Sequence, residues 1–197
     1  MNPFAPDIAA LETKYRDQPT GQIVFYGSSS IRLWPFLARE FPGVAIENWG
    51  FGGANLSDCA HFYERAIVPR APRGIVFYAG DNDLANGASP DDVWESLRAL
   101  LSVHDAQLPA VPFAFLSLKP SPSRLALRAE IEQTNDWCER EIASHPGAVW
   151  VDVFHPMLGQ DGWGRRELFM PDELHLSRAG YALWNAILKR ELSWLLG

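Results

Sequence analysis

Five short apolar runs set the terms on which this chain can fold: QIVFY (22–26), GVAIEN (43–48), GIVFYAG (74–80), VPFAFLSL (111–118) and AVWVDV (148–153). They are rich in Val, Ile and Phe and largely apolar at consecutive rather than alternate positions, which predicts strands buried on both faces. Between them lie stretches of helical character. One spans about 6–17, with Ile8, Leu11 and Tyr15 at helical spacing, and a second about 30–40. Others cover 56–69 (Leu56, Ala60, Tyr63, Ile67), 89–104, about 123–144 and 177–196. The clearest helix start is SPDD: Ser89 is suited to cap, Pro90 to the first helical position, and Asp91 and Asp92 to the positive end of the dipole. Gly180 inside the last stretch costs about 1 kcal/mol relative to Ala, so it marks an interruption or close packing. Strands alternating with helices of this length predict a parallel sheet covered on both sides, a doubly wound α/β fold of about five strands. No repeat, low-complexity tract or linker divides the chain, so residues 1–197 are expected to form one domain.

The bulk properties exclude several functions. A net charge of −7 without any Lys/Arg block argues against a nucleic-acid footprint. No apolar run approaches the ~18 residues needed to cross a bilayer. The first residues, MNPFAPDIAALETKYRDQ, lack a basic segment followed by an apolar one, so no signal peptide is expected and a cytoplasmic location is the default. Cys59 and Cys138 have neither C-x-x-C spacing nor a Cys/His cluster around them and are expected as buried free thiols.

Open parallel sheets place their sites at the carboxyl ends of strands, near the point where strand order reverses. Four such ends carry chemistry here: Gly27–Ser30, Gly50–Asn55, Gly80–Asp83, and the segment after the fifth run that reaches Asp172 and His175. GSSSIRLW lacks the second glycine and the lysine of a phosphate-binding P-loop. GFGGAN has Asn55 where a dinucleotide fingerprint needs its last glycine. DNDLANG starts like a calcium loop, but Ala85 and Asn86 occupy a ligand position and the obligatory glycine. Neither a cofactor nor a metal is therefore expected.

A serine nucleophile accounts for more of these features. A serine hydroxyl needs a base within hydrogen-bond reach, a partner that orients the base, and donors aimed at the developing oxyanion. Five histidines are available. His61 falls in a surface helix, and His104 and His145 fall near helix ends, where exposure or capping is the expected role. His155, in DVFHPM, remains an alternative base. His175, in MPDELHLSRAGY, is the better one, because Asp172 three residues upstream can fold back onto an imidazole nitrogen and fix its tautomer.

Taken together, the four segments resemble, in order and approximate spacing, the blocks of the SGNH (GDSL-like) hydrolases. FYGSSSI resembles the nucleophile block, NWGFGG the N-x-G-x-x-G block, GDND the G-x-N-D block and DELH the D-x-x-H block, across residues 25–181. The resemblance implies Ser29 as nucleophile, with Asp172 and His175 completing a triad. It also implies an oxyanion hole from the N–H groups of Ser29 and Gly53 and the Asn82 amide, and a three-layer flavodoxin-like fold. Ser28 departs from the pattern, standing where the family usually has Asp.

The expected activity is hydrolysis of short-chain acyl esters, acetyl esters among them, by a serine esterase acting on a small-molecule substrate. An acyltransferase using the same site, or a non-catalytic carbohydrate-binding or scaffold domain, are the alternatives. Trp34, Phe51, Phe169 and Met170 flank the blocks and are expected mostly in the core. Lys119 and Arg124 are expected as solvated loop charges, with contact to a polar or anionic substrate as the alternative, and Asp81 and Asp83 as braces of the Asn82 loop.

Overall fold

The computed structural model describes residues 2–196. Its centre is a five-stranded, wholly parallel sheet of β1 (Ile23–Gly27), β2 (Ile46–Gly50), β3 (Gly74–Tyr78), β4 (Phe113–Leu116) and β5 (Ala148–Val151), in the order β2-β1-β3-β4-β5. This is the flavodoxin-like strand order, and it reverses direction between β1 and β3. The double-faced burial anticipated from the apolar runs follows from the pleat. Val24, Tyr26, Phe77 and Phe115 point into one core, against α4 (Leu56–Ala66), α6 (Pro90–Gln107) and α7 (Arg128–Ser144). Ile23, Phe25, Val76, Tyr78 and Leu116 point into the other, against α2 (Ser29–Arg32), α3 (Leu37–Glu40) and α8 (Arg178–Glu191). The first core is closed at its edge by α1 (Ala5–Tyr15). Two short helices complete the set, α5 (Asp81–Ala85) and α9 (Ser193–Leu196). Among the described residues no helix is long and apolar enough to cross a membrane.

The α6 start forms as its sequence demands. Ser89 Oγ accepts from the Asp92 N–H at 3.2 Å and the Asp92 carboxylate accepts the Ser89 N–H at 2.8 Å, with Pro90 at the first position. Both cysteines are buried and free.

Elsewhere the boundaries differ from expectation for local reasons. The helix expected over 30–40 is two one-turn pieces, α2 and α3, because Pro35 cannot donate and Phe36 turns left-handed at φ 59°. The closing helix breaks at Leu192 into α8 and α9, and 3-10 turns over Pro122–Leu127 precede α7. The second strand lies further along than 43–48, because pairing with β1 sets Gly50 opposite Gly27. A Cβ on Gly50 would lie 2.2 Å from the Arg32 nitrogen, so only glycine lets α2 cross β2 there.

Candidate active site

At the end of β1 the chain has room for one conformation. Gly27 adopts φ 137°, and a Cβ there would fall 1.9 Å from the Tyr78 carbonyl oxygen of β3. The Ser28 N–H donates to that carbonyl at 2.9 Å, Ser28 stays extended, and α2 begins at Ser29. The turn sorts the three serines. Ser28 and Ser30 are each 1% exposed, and the Ser30 carbonyl accepts the Tyr181 hydroxyl at 3.0 Å. Only Ser29 opens to solvent.

After β2 the chain is tied back by the Phe51 N–H, which donates to the Gly27 carbonyl at 2.9 Å, and then exposes Gly53 at φ 83°. No atom lies within 4 Å of where a Gly53 Cβ would stand, so this glycine serves the left-handed backbone and not a tight contact.

The end of β3 is the most heavily braced. Asn82 Nδ2 donates to the Ala54 carbonyl at 3.0 Å, while Oδ1 accepts from Arg124 Nη2 at 2.7 Å. On one side of Asn82, Asp83 accepts the Leu56 N–H at 2.8 Å and so docks the start of α4. Burial pushes its carboxyl up to about 6, against the backbone hydrogen bonds it accepts. On the other side, Asp81 meets Lys119 Nζ at 2.6 Å with both side chains 2% exposed, and Lys119 also donates to the Tyr78 hydroxyl at 3.1 Å. Burial alone would raise the Asp81 carboxyl, but Lys119 and Arg124 beside it hold it at about 2.

The last component sits in the loop before α8. Leu176 bridges to Phe169, and the Met170 N–H donates to the His175 carbonyl at 2.7 Å, closing a tight loop between them. Inside that loop Asp172 Oδ1 accepts the N–H groups of Leu174 (3.0 Å) and His175 (2.9 Å), and Oδ2 lies 2.7 Å from His175 Nδ1. The His175 hydrogen bond, helped by the two backbone donors, lowers the Asp172 carboxyl to about 2. With Nδ1 committed to Asp172, Nε2 is the ring nitrogen left for chemistry.

A pocket of about 400 Å³ is lined by Ser29, Arg32, Leu33, Gly52, Gly53, Asn82, Leu174 and His175. It brings together four of the five residues singled out from the sequence, and Asp172 stands directly behind the imidazole of the fourth.

Several expectations need correction. Lys119 is no solvated loop charge but one of the most deeply buried side chains, paired with Asp81. Arg124 is likewise mostly buried, on the Asn82 amide. His104 is not an exposed helix end: it is buried, hydrogen bonded to the Tyr63 hydroxyl (2.8 Å) and the Val111 carbonyl (2.9 Å). Trp34, Phe51 and Phe169 are core residues as expected, whereas Met170 is exposed. His155 forms a second D-x-x-H pair with Asp152 at 2.9 Å, but its ring is 76% exposed and it lines a different pocket with Ser117 and Trp150. Asp81 and Asp83 brace the Asn82 turn as anticipated, and the described residues contain no group of three or more His, Cys, Asp or Glu side chains placed to hold a metal ion.

Arg32, Leu33 and Leu174 line the pocket without having been anticipated. Arg32 is the last residue of the one-turn α2 and Leu33 its C-cap, and the signal for that early stop was Pro35. Leu174 carries no such signal.

The sequence model of the GDSL-like Lipase/Acylhydrolase family matches residues 21–183. No functionally curated protein matches the chain. Among solved structures, one from Streptococcus pneumonia, provisionally described as a platelet activating factor, has a TM-score of 0.82 at 22% identity, covering 94% of this chain and 92% of that one. A GDSL-like lipase from Bacteroides thetaiotaomicron has a TM-score of 0.75 at 19% identity, with 95% and 94% covered. A carbohydrate esterase of family 3 from Talaromyces cellulolyticus has a TM-score of 0.70 at 16% identity, with 90% and 98% covered. At such low identity these likenesses speak for the fold alone. The family match is of another kind, since it runs through all four strand-end segments and most of the chain: the protein belongs to the GDSL-like lipase/acylhydrolase family of hydrolases.

Proposed function

We propose that the protein is a serine esterase that hydrolyses short-chain acyl esters, with Ser29 as nucleophile, His175 as general base and acid, and Asp172 as its orienting partner. The observation that carries this reading is the single pocket shared by Ser29, Gly53, Asn82 and His175, with Asp172 on His175 Nδ1. Substrate enters with its acyl carbonyl over Ser29. His175 Nε2 takes the hydroxyl proton as Oγ attacks the carbonyl carbon, and the imidazolium that forms is stabilised by the ionised Asp172. The oxyanion accepts hydrogen bonds from the N–H groups of Ser29 and Gly53 and from Asn82 Nδ2, donors that matter most when the charge develops. His175 returns the proton to the departing alcohol, and water, activated by the same imidazole, releases the acid from Ser29.

Leu33 and Leu174 offer apolar contact for the acyl chain, and a pocket of about 400 Å³ suits a short one. Acetyl esters of sugars or small alcohols are the first candidates, in keeping with the carbohydrate esterase from Talaromyces cellulolyticus among the structural neighbours. The test is labelling with a fluorophosphonate probe alongside turnover of a p-nitrophenyl ester series. Ser29→Ala is expected to lose both, while Ser28→Ala and Ser30→Ala keep measurable activity. A dead Ser28 or Ser30 variant beside an active Ser29→Ala overturns the nucleophile. Folded wild-type protein that takes no label favours a binding module, and acyl transfer to added alcohol outpacing hydrolysis would make the enzyme a transferase.

A further inference from the structure

A carboxamide helps an oxyanion only through its nitrogen end; turned over, it presents an acceptor to a negative charge. Both ends of the Asn82 amide are held. Nδ2 donates one proton to the Ala54 carbonyl at 3.0 Å, on the rim next to Gly53, and has a second proton to give. Oδ1 accepts from Arg124 Nη2 at 2.7 Å. Turning the amide over would set its oxygen against the Ala54 carbonyl and its NH₂ against a guanidinium, so both contacts reject that orientation.

Arg124 does this from behind. It is absent from the pocket lining, its side chain is only 10% exposed, and its Nη1 lies 3.7 Å from an Asp81 carboxylate oxygen. Asp81 is in turn fixed by Lys119, which also holds the Tyr78 hydroxyl. The turn that bears Arg124 is tied to the loop of the acid–base pair by the Ser123 N–H, which donates to the Glu173 carbonyl at 3.1 Å. One arm of the fork reaches the amide while the other faces a carboxylate, a division that a lysine's single ammonium reproduces poorly.

We infer that Arg124 is a positioning residue for the ester chemistry: it locks the Asn82 amide with its nitrogen toward the Gly53 rim and polarises it, setting the strength of that oxyanion donor without touching substrate. A charge-assisted hydrogen bond to Oδ1 draws electron density from the N–H bonds and strengthens them as donors. This rests on the esterase reading.

The test is a kinetic cycle on the full chain with p-nitrophenyl acetate, using Arg124→Met and Asn82→Ala singly and together, with Tm followed for each variant. Arg124→Met is expected to lower kcat about tenfold with KM within about twofold. The same change is expected to cost less than about twofold once residue 82 is alanine, because the group it positions is gone. Equal losses in both backgrounds, a loss confined to KM, or an undiminished kcat overturns the inference. Should the methionine variant not fold, Arg124→Lys keeps a cation beside Asp81 and carries the same cycle, with an expected loss of about threefold that vanishes in the Asn82→Ala background. Asn82→Ala alone separates the two layers. If it leaves kcat intact, the proposed oxyanion hole and the inference fall together; if kcat depends on Asn82 but not on Arg124, only the inference falls.

Discussion

Asn82 is the residue where ground state and transition state are expected to part most sharply. Its amide already has a partner in Ala54, so a neutral carbonyl gains little from it, whereas a developing oxyanion gains a preorganised donor. Asn82→Ala should therefore lower kcat by roughly 10²–10³ with little change in KM, measured by steady-state hydrolysis of p-nitrophenyl acetate. A second prediction at this scale concerns the base. Because the Asp172 carboxyl lies at about 2, it stays ionised throughout the range in which imidazoles titrate. His175→Ala should lose nearly all activity, and His155→Ala should lose little, since His155 belongs to another pocket. These assignments were readable as residue types at strand ends, and the resemblance chose Ser29 among three serines before burial of Ser28 and Ser30 gave a physical reason. Arg124 was not readable. A basic residue in SLKPSPSR looks like a solvated charge until the fold brings Asp81 and Asn82 beneath it.

Single turns and short loops, more than long helices, shape the pocket. The one-turn α2 ends just before Pro35, and the two residues at its end, Arg32 and Leu33, line the pocket with Gly52 and Gly53. The single helix expected over 30–40 is broken by Pro35 and the left-handed Phe36. Gly180 was legible as a misfit in α8, and its reason is now specific: a Cβ would lie 2.3 Å from the Leu168 carbonyl, in the segment that leads to the His175 loop. Gly180→Ala should thus destabilise the protein by about 1–3 kcal/mol despite the roughly 1 kcal/mol that alanine adds to helix propensity. Chemical denaturation checks the stability. A fall in fluorophosphonate labelling rate under native conditions would report that the displaced loop carries the base with it.

For the molecule as a whole, two neighbouring carboxylates tie stability to pH in opposite directions. Asp81, at about 2 in the folded protein, contributes stability that is present above its unfolded value near 3.9 and is lost as pH falls through 2. Asp83, at about 6, favours folding while it is protonated, and that contribution is lost as pH rises from about 4 through 6. Asp83→Asn, which keeps an oxygen for the Leu56 N–H, should remove a decline on the order of 2 kcal/mol between pH 4 and 7 from urea-unfolding profiles. The strand alternation that foretold the architecture could not foretell this, because the Asp83 rise comes from burial in the assembled fold and the Asp81 fall from Lys119 and Arg124, partners distant in sequence.

The order in which the parts of the pocket occur along the chain has a consequence for synthesis on the ribosome. The proposed nucleophile follows the first strand, whereas its histidine comes only after the fifth, in the loop before α8. A nascent chain that has exposed Ser29 carries an ordinary alcohol, with no base to activate it and no complete set of oxyanion donors. Esterolytic power would therefore switch on late, once the last loop has docked across the sheet. Until then the growing polypeptide is latent, and a translation product cut short before His175 would be harmless to the esters around it.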